Sequence, residues 1–162
     1  MKWNDVSSEE CSVARTSAVL GDRWTLVILS DCFLGVRRFE DFKDRLDISR
    51  TTLSTRLQKL EEHGVVERRL YQSQPERFEY RLTQKGADLY PVISTIVNWG
   101  DQYYGGEHGP PIIRTHKACG ADIAPQLICP ECKEPIHPRD MGARARPDMD
   151  GLPKVKRGPV YR

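Results

Sequence analysis

The sequence predicts a mainly α fold of the α+β type: a helical domain closed by one two-stranded hairpin, with a small cysteine-rich extension behind it. Two observations predict the main domain and a third the extension. Apolar residues recur at helical spacing through about residue 104. That periodicity is broken once, by β-branched and aromatic residues flanking a proline-containing turn. Near Gly105 the composition changes. Residues 1–111 carry 15 Lys+Arg against 17 Asp+Glu, a net of −2, whereas residues 112–162 carry 10 against 6, a net of +4. The second region also holds three of the five cysteines and seven of the eleven prolines, which suits knuckles and turns rather than helices. GGEHGPP at 105–111 reads as the linker. The expected organisation is a main domain over 1–105, a linker and Cys/His segment over 106–140, and a basic, disordered tail over 141–162.

Each element has a local reason. Ser7 or Ser8 can cap a helix running to about Leu20, with Glu10 in its first turn, and Gly21-Asp22 interrupts it. Trp24 to Leu34 is apolar on nearly all sides and predicts a buried central helix that Gly35 ends. Phe39, Phe42 and Leu46 share one face of the next helix, and Asp47-Ile48 leaves room only for a turn. Ser49 can cap a helix through about His63, with Gly64 as its stop and Leu53, Leu57 and Leu60 as its inward stripe. Val65–Tyr71 and Phe78–Leu82, joined by Gln72–Arg77, predict the hairpin. Thr83 can cap a last helix from about Gln84 to Tyr104, with Pro91 kinking or delaying it. Trp24, Phe39, Phe42 and Trp99 read as core rather than as the lining of a ligand pocket.

Composition excludes several function classes. A net charge of +2 over 162 residues rules out a polybasic binder that acts by bulk charge, though not a local basic face. There is no run of ~18 apolar residues to span a membrane, and MKWNDVSSEECSV lacks the apolar stretch of a secretory signal. A cytoplasmic protein with reduced cysteines is expected. The chain has no glycine-rich phosphate loop, GxSxG, HExxH or framework of paired carboxylates, so an enzyme is not expected.

A short helix, a tight turn and a second helix with a polar outer face, followed at once by a hairpin, is the winged helix-turn-helix pattern. Its second helix must bury one stripe and offer the other face to the major groove. Here that face carries Arg50, Thr51, Thr52, Ser54, Thr55, Arg56 and Lys59, with no Asp or Glu from Ser49 through Leu60. Small hydroxyl residues allow close approach, and arginine can take guanine bidentately. The hairpin carries Arg68, Arg69, Arg77 and Arg81, suited to the backbone or the adjacent minor groove. The expected division has Arg50, Thr51, Thr52, Thr55 and Arg56 in or beside the major groove of double-stranded DNA, and Lys59, Arg68 and Arg77 on phosphates. The competing reading is a protein-interaction module that uses the cysteine-rich extension and whose helix-turn-helix no longer binds DNA. The acid-free face argues against it.

Beyond these elements, the chain resembles the HxlR-type winged-helix transcriptional regulators of the MarR-like group. The resemblance rests on Cys11, LGDRWTLVIL (20–29), RRFEDF (37–42), ISRTTLSTRLQKLEEHGVVERR (48–69), QPERFEYRLTQKG (74–86) and NWG (98–100). It implies a homodimeric DNA-binding regulator, expected to be a repressor, that responds to a small-molecule or electrophile effector. It implies a dimer interface on the first helix, Cys11–Leu20, and on Leu89, Val92, Ile93, Ile96, Val97 and Trp99 of the last. It also marks Cys11 as a candidate redox sensor. Arg15 could stabilise a thiolate there, while Glu9 and Glu10 oppose it; the alternative is a small interface residue. Cys32 reads as core filling.

His116-Lys-Ala-Cys119 and Cys129-Pro-Glu-Cys132 give HxxC, nine residues, then CxxC. Four such ligands suit a closed, structural Zn²⁺ site in a zinc-ribbon-like extension, with His137 as a possible substitute ligand. The alternative is a ribbon that folds without metal. Arg144, Arg146, Lys154, Lys156, Arg157 and Arg162 of the tail could add nonspecific phosphate contacts.

Overall fold

The computed structural model describes residues 11–142, and the chain divides into two units, Met1–Ile112 and Ile113–Arg162. The expected Ser7 or Ser8 cap and the basic part of the tail lie outside the described residues. In the first unit the order is α1 (Ser12–Leu20), α2 (Arg23–Phe33), α3 (Phe39–Leu46), α4 (Arg50–Glu62), β1 (Val66–Ser73), β2 (Glu76–Leu82), α5 (Gln84–Ala87) and α6 (Tyr90–Tyr104). No described helix is long and apolar enough to cross a membrane.

Local chemistry sets the boundaries. The helix α1 begins at Ser12, with Cys11 in the cap position and no side-chain hydrogen bond capping it. Asp22 caps α2, accepting from the N–H groups of Trp24 (3.0 Å) and Thr25 (3.1 Å). Asp47 turns the chain between α3 and α4 with φ +47°, a conformation that aspartate tolerates. The C-terminus of α4 is a Schellman motif: Val65 N–H donates to the Leu60 carbonyl (2.8 Å) and Gly64 N–H to that of Glu61 (2.9 Å). Gly64 has φ +65°, and the accompanying Leu60 and Val65 side chains are both buried.

The core lies where these elements meet. Ile28 and Leu29 of α2, Phe42 of α3, and Leu53, Leu57 and Leu60 of α4 are fully buried, joined by Val65, Val66 and Ile93. Ile48 closes the turn from inside. Burial of α2 is one-sided, since Val27 is exposed, as is Leu34 just past its end. Asp31, also buried, takes a bidentate hydrogen bond from Arg45 at 3.1 and 3.2 Å, joining α2 to α3. That carboxylate raises the Arg45 pKa, and the guanidinium stays charged.

Two expectations change here. The strands run further into the tip than their residue types indicate, to Ser73 and from Glu76, leaving Gln74-Pro75 as the turn. The added cross-strand hydrogen bonds outweigh the turn preference of those residues. The last helix is split. Pro91 has no N–H to donate inside a helix, so α5 ends at Ala87 and α6 begins at Tyr90 with proline in its first turn.

Residues 113–142 form two small hairpins and a short 3₁₀ turn, Pro138–Asp140. None of these residues is buried.

Candidate nucleic-acid interface

The recognition surface begins with how α4 is held. The Ser49 hydroxyl accepts from Thr52 N–H at 3.1 Å, and the two hydroxyls are 2.9 Å apart. This fixes the N-terminal turn, where unpaired N–H groups favour phosphate. Because Leu53, Leu57 and Leu60 have no exposure, the opposite face is set outward. Arg50, Thr51, Ser54, Thr55 and Gln58 are exposed there, and Thr52, Arg56 and Lys59 are half-buried.

Two arginines on this face have partners that the sequence window did not reveal. Arg50 forks onto Glu40 of α3, with both N···O distances 2.8 Å. An acid from the preceding helix therefore stands beside a helix face that is itself acid-free. Arg56 lies 3.0 Å from Asp22, both side chains about three-quarters buried. The geometry is that of an ion pair rather than an aligned hydrogen bond. Since Asp22 also caps α2, this pair ties the recognition helix to the start of the central helix.

On the hairpin, Val66 pairs with Leu82 and Arg68 with Tyr80, and the register shifts around Tyr71. Glu67, Arg69, Glu79 and Arg81 share one face by the two-residue period of strands. Arg69 pairs with Glu67 and Arg81 with Glu79, each at 2.7 Å, so this face is charge-balanced. Among the described residues, neither Arg68 nor Arg77 meets a carboxylate in an ion pair. Arg68 stacks over Phe78 with its guanidinium carbon 4.2 Å from the ring centre. Arg77 is exposed, two residues past the tip. Arg38 stacks on Tyr71 (4.6 Å), and its backbone bridges to Glu79, bracing the wing against the start of α3.

The base of the wing is bolted to the end of α4. The Thr83 hydroxyl donates to the Gly64 carbonyl (2.7 Å) and accepts from Gly86 N–H (3.1 Å). Lys85 donates to the His63 carbonyl (2.7 Å). A Cβ at Gly86 would run into the Val65 carbonyl oxygen, which explains why the turn after the wing carries glycine. The end of α4 and the base of the wing are thus joined by hydrogen bonds.

The residues set aside for dimerisation divide in two. Ile93 is buried, and Leu89 and Val97 pack on the core. Val92, Ile96 and Trp99 are exposed on α6, together with Tyr103, Tyr104 and Val13 of α1. Trp99 is 53% exposed, so it is not core; its ring lies 5.3 and 5.5 Å from those of Tyr104 and Tyr103. Phe42 is core, and Trp24 and Phe39 pack against it. An apolar groove lined by Val13, Leu20, Leu26, Val92 and Ile96 runs between α1 and α6.

The cysteines sit in contrasting environments. Cys11 is exposed. Burial, reinforced by the charge of Asp31, pushes the Cys32 thiol up to about 12, which favours the protonated form at neutral pH. In the second unit His116 Nδ1 lies 3.3 Å from Cys119 Sγ. Backbone groups of Cys132 and Glu131 hold the Cys129 thiol below its ordinary value. Among the described residues, no three His, Cys, Asp or Glu side chains converge on one point that could hold a metal ion. The four proposed ligands are brought together as two pairs, not as one cluster.

A helix-turn-helix whose second helix turns a polar, arginine-bearing face away from a buried leucine stripe, braced by a basic-tipped hairpin, defines a winged-helix DNA-binding protein. The HxlR-like helix-turn-helix profile matches residues 19–108, and the chain belongs to that family of DNA-binding transcriptional regulators. It is 47% identical over 130 residues to the HTH-type transcriptional regulator Rv3095 of Mycobacterium tuberculosis, covering 80% of this chain and 82% of the relative. Those 130 aligned residues exceed the 112 of the first unit, so the likeness runs into the second. Among solved structures, PA1607 aligns with a TM-score of 0.77 at 29% identity, over 86% of this chain and 98% of its own. The redox regulator HypR in its reduced form aligns with a TM-score of 0.54 at 30% identity, over 57% and 92%.

Proposed function

We propose that the chain is a cytoplasmic homodimeric repressor that sets α4 in the major groove and the wing on the flanking backbone or minor groove. The observation that carries this reading is the pairing of an exposed Arg/Thr/Ser helix face with an arginine at the wing tip. Arg50, Thr51 and Thr55 reach base edges. Glu40 holds the Arg50 guanidinium extended as a fork and releases it to guanine. Thr52 supports the helix N-terminus against a phosphate. Arg56, drawn back to Asp22, borders the groove, and Lys59, Arg68 and Arg77 meet phosphates.

Exposed Val13, Val92, Ile96, Trp99, Tyr103 and Tyr104 on α1 and α6 support the dimer, because so much contiguous apolar surface favours a partner. A twofold dimer would set two copies of α4 about one helical turn of DNA apart. Exposed Cys11 at the start of α1, on the helix the dimer would use, supports an oxidant or electrophile switch. HypR, solved in reduced and oxidised forms, is a related precedent.

The test is a mobility shift on the DNA upstream of the protein's own gene, with excess nonspecific competitor. A competitor-resistant complex that is weakened by diamide in wild type and not in Cys11→Ser is expected. A resistant complex lost equally in both proteins removes the Cys11 switch. Binding that competitor abolishes on this DNA counts against a self-regulating repressor.

A further inference from the structure

Within residues 114–136 one piece of backbone is used twice, 13 residues apart. In the first hairpin Thr115 bridges Asp122, and in the second Ile128 bridges Pro135. His116 N–H donates to the Ala121 carbonyl (2.8 Å) and Ile123 N–H to that of Arg114 (2.9 Å). Shifted by 13, Cys129 N–H donates to Glu134 (2.9 Å) and Ile136 N–H to Leu127 (2.8 Å). Gly120 N–H returns to the His116 carbonyl at 2.7 Å, and Lys133 N–H to that of Cys129 at 3.0 Å. The residues at those turns, Gly120 and Lys133, have φ +73° and +62°. Lysine adopts that conformation rarely, so the second turn is held by something stronger than its own preference.

In this register His116 is the counterpart of Cys129, and Cys119 of Cys132. The repeat therefore places a donor pair at the same two positions of both hairpins. Two donors on one tetrahedral zinc, at Zn–N and Zn–S distances of about 2.0 and 2.3 Å, stand about 3.5 Å apart. His116 Nδ1 and Cys119 Sγ, at 3.3 Å, are close to that separation. His137 lies outside the repeat, and its Nδ1 is already engaged by the Arg139 N–H at 3.3 Å.

None of residues 113–142 is buried, and Ile113, Leu127 and Ile128 are about half or more exposed. Two hairpins of this size have no core to hold them, and isolated hairpins are marginal in water. A shared metal ion would supply that missing stability.

We propose that the two hairpins close on one zinc ion per chain, ligated by His116 through Nδ1 and by Cys119, Cys129 and Cys132. Bringing the pairs together requires a hinge at Ala124-Pro125-Gln126, the segment between the hairpins. The donor set, three thiolates and one imidazole, leaves no open position, so the ion is structural.

The full-length chain, purified under reducing conditions without chelator, should contain about one zinc per chain by mass spectrometry of the metal. Replacing zinc with Co²⁺ should give the strong visible bands of tetrahedral cobalt and a thiolate charge-transfer band in the near ultraviolet. Cys119→Ser, Cys129→Ser and Cys132→Ser should each lower metal affinity at least tenfold, as should His116→Ala, while His137→Ala leaves it unchanged. DNA binding or circular dichroism of the winged unit confirms that each variant remains folded. Zinc well below one per chain, with no cobalt spectrum, overturns the site. Loss in His137→Ala but not in His116→Ala overturns the fourth ligand, and one metal per two chains overturns closure within a chain.

Discussion

The two units of this chain reach order by different means. The first buries a continuous apolar core, with six side chains on α2, α3 and α4 at no exposure, and then adds polar bolts at Asp22, Asp31 and Thr83. The second has regular hairpins but no buried residue among those described. Apolar burial of about 25 cal/mol per Å² can hold the former against chain entropy but supplies little to the latter. A repeated hydrogen-bond pattern without a core leaves the second unit in need of another stabiliser, which is the ground for the zinc site proposed above.

The sharpest way to break this comparison is to damage each unit separately. Leu57→Ala should cost about 2–5 kcal/mol in denaturant unfolding of the winged unit and leave the metal content unchanged. Stripping metal with a chelator should make residues 113–142 sensitive to protease and leave that unfolding midpoint in place. If either treatment destabilises both units equally, the account of two separate stabilisers is wrong. Next in size is Arg50→Ala, which should reduce specific DNA affinity by about 1–3 kcal/mol and flatten base preference. Its thermal midpoint should hardly change, since the Glu40 pair is exposed and worth little, about 0–1 kcal/mol.

Asp22→Ala should cost about 0.5–2 kcal/mol from the lost cap alone. It should also release Arg56, which titration of DNA affinity against salt would register as a changed slope. Arg77→Ala should leave stability unaltered and reduce that salt slope by about 1, which is the mark of a phosphate contact. Finally, alkylation at pH 8 should modify exposed Cys11 readily and native Cys32 at least a hundredfold more slowly. Burial pushes the Cys32 thiol up to about 12, and only the thiolate reacts. Above pH 9, where an unfolded Cys32 ionises and the buried one does not, this residue favours unfolding. Its contribution to stability therefore falls as pH rises.

Much of the first unit was legible in the sequence because its signals are periodic. The Leu53/Leu57/Leu60 stripe, the Gly64 stop and the β-branched strands each act over a few residues, and all appear where their chemistry places them. What was not legible is contact between distant residues. Glu40 beside Arg50 and Asp22 beside Arg56 join helices that only the packed core brings together. The split at Pro91 was visible as a possibility but not its extent. Trp99 reads as core from its apolar character, yet it is exposed, because helical periodicity does not decide how far along α6 the core extends. The HxxC and CxxC pairs were legible as motifs. The 13-residue repeat of backbone hydrogen bonds that makes the two pairs counterparts was not.

As a twofold dimer, the protein would read DNA sequence with a symmetric pair of α4 helices and wings. The most direct measurement is selection of sites from a random duplex library by the full-length, reduced protein at physiological salt. Enrichment of a twofold-related sequence with half-sites about 10 base pairs apart is expected, with loss of that preference in Arg50→Ala. A selected pool indistinguishable from the input library would contradict it.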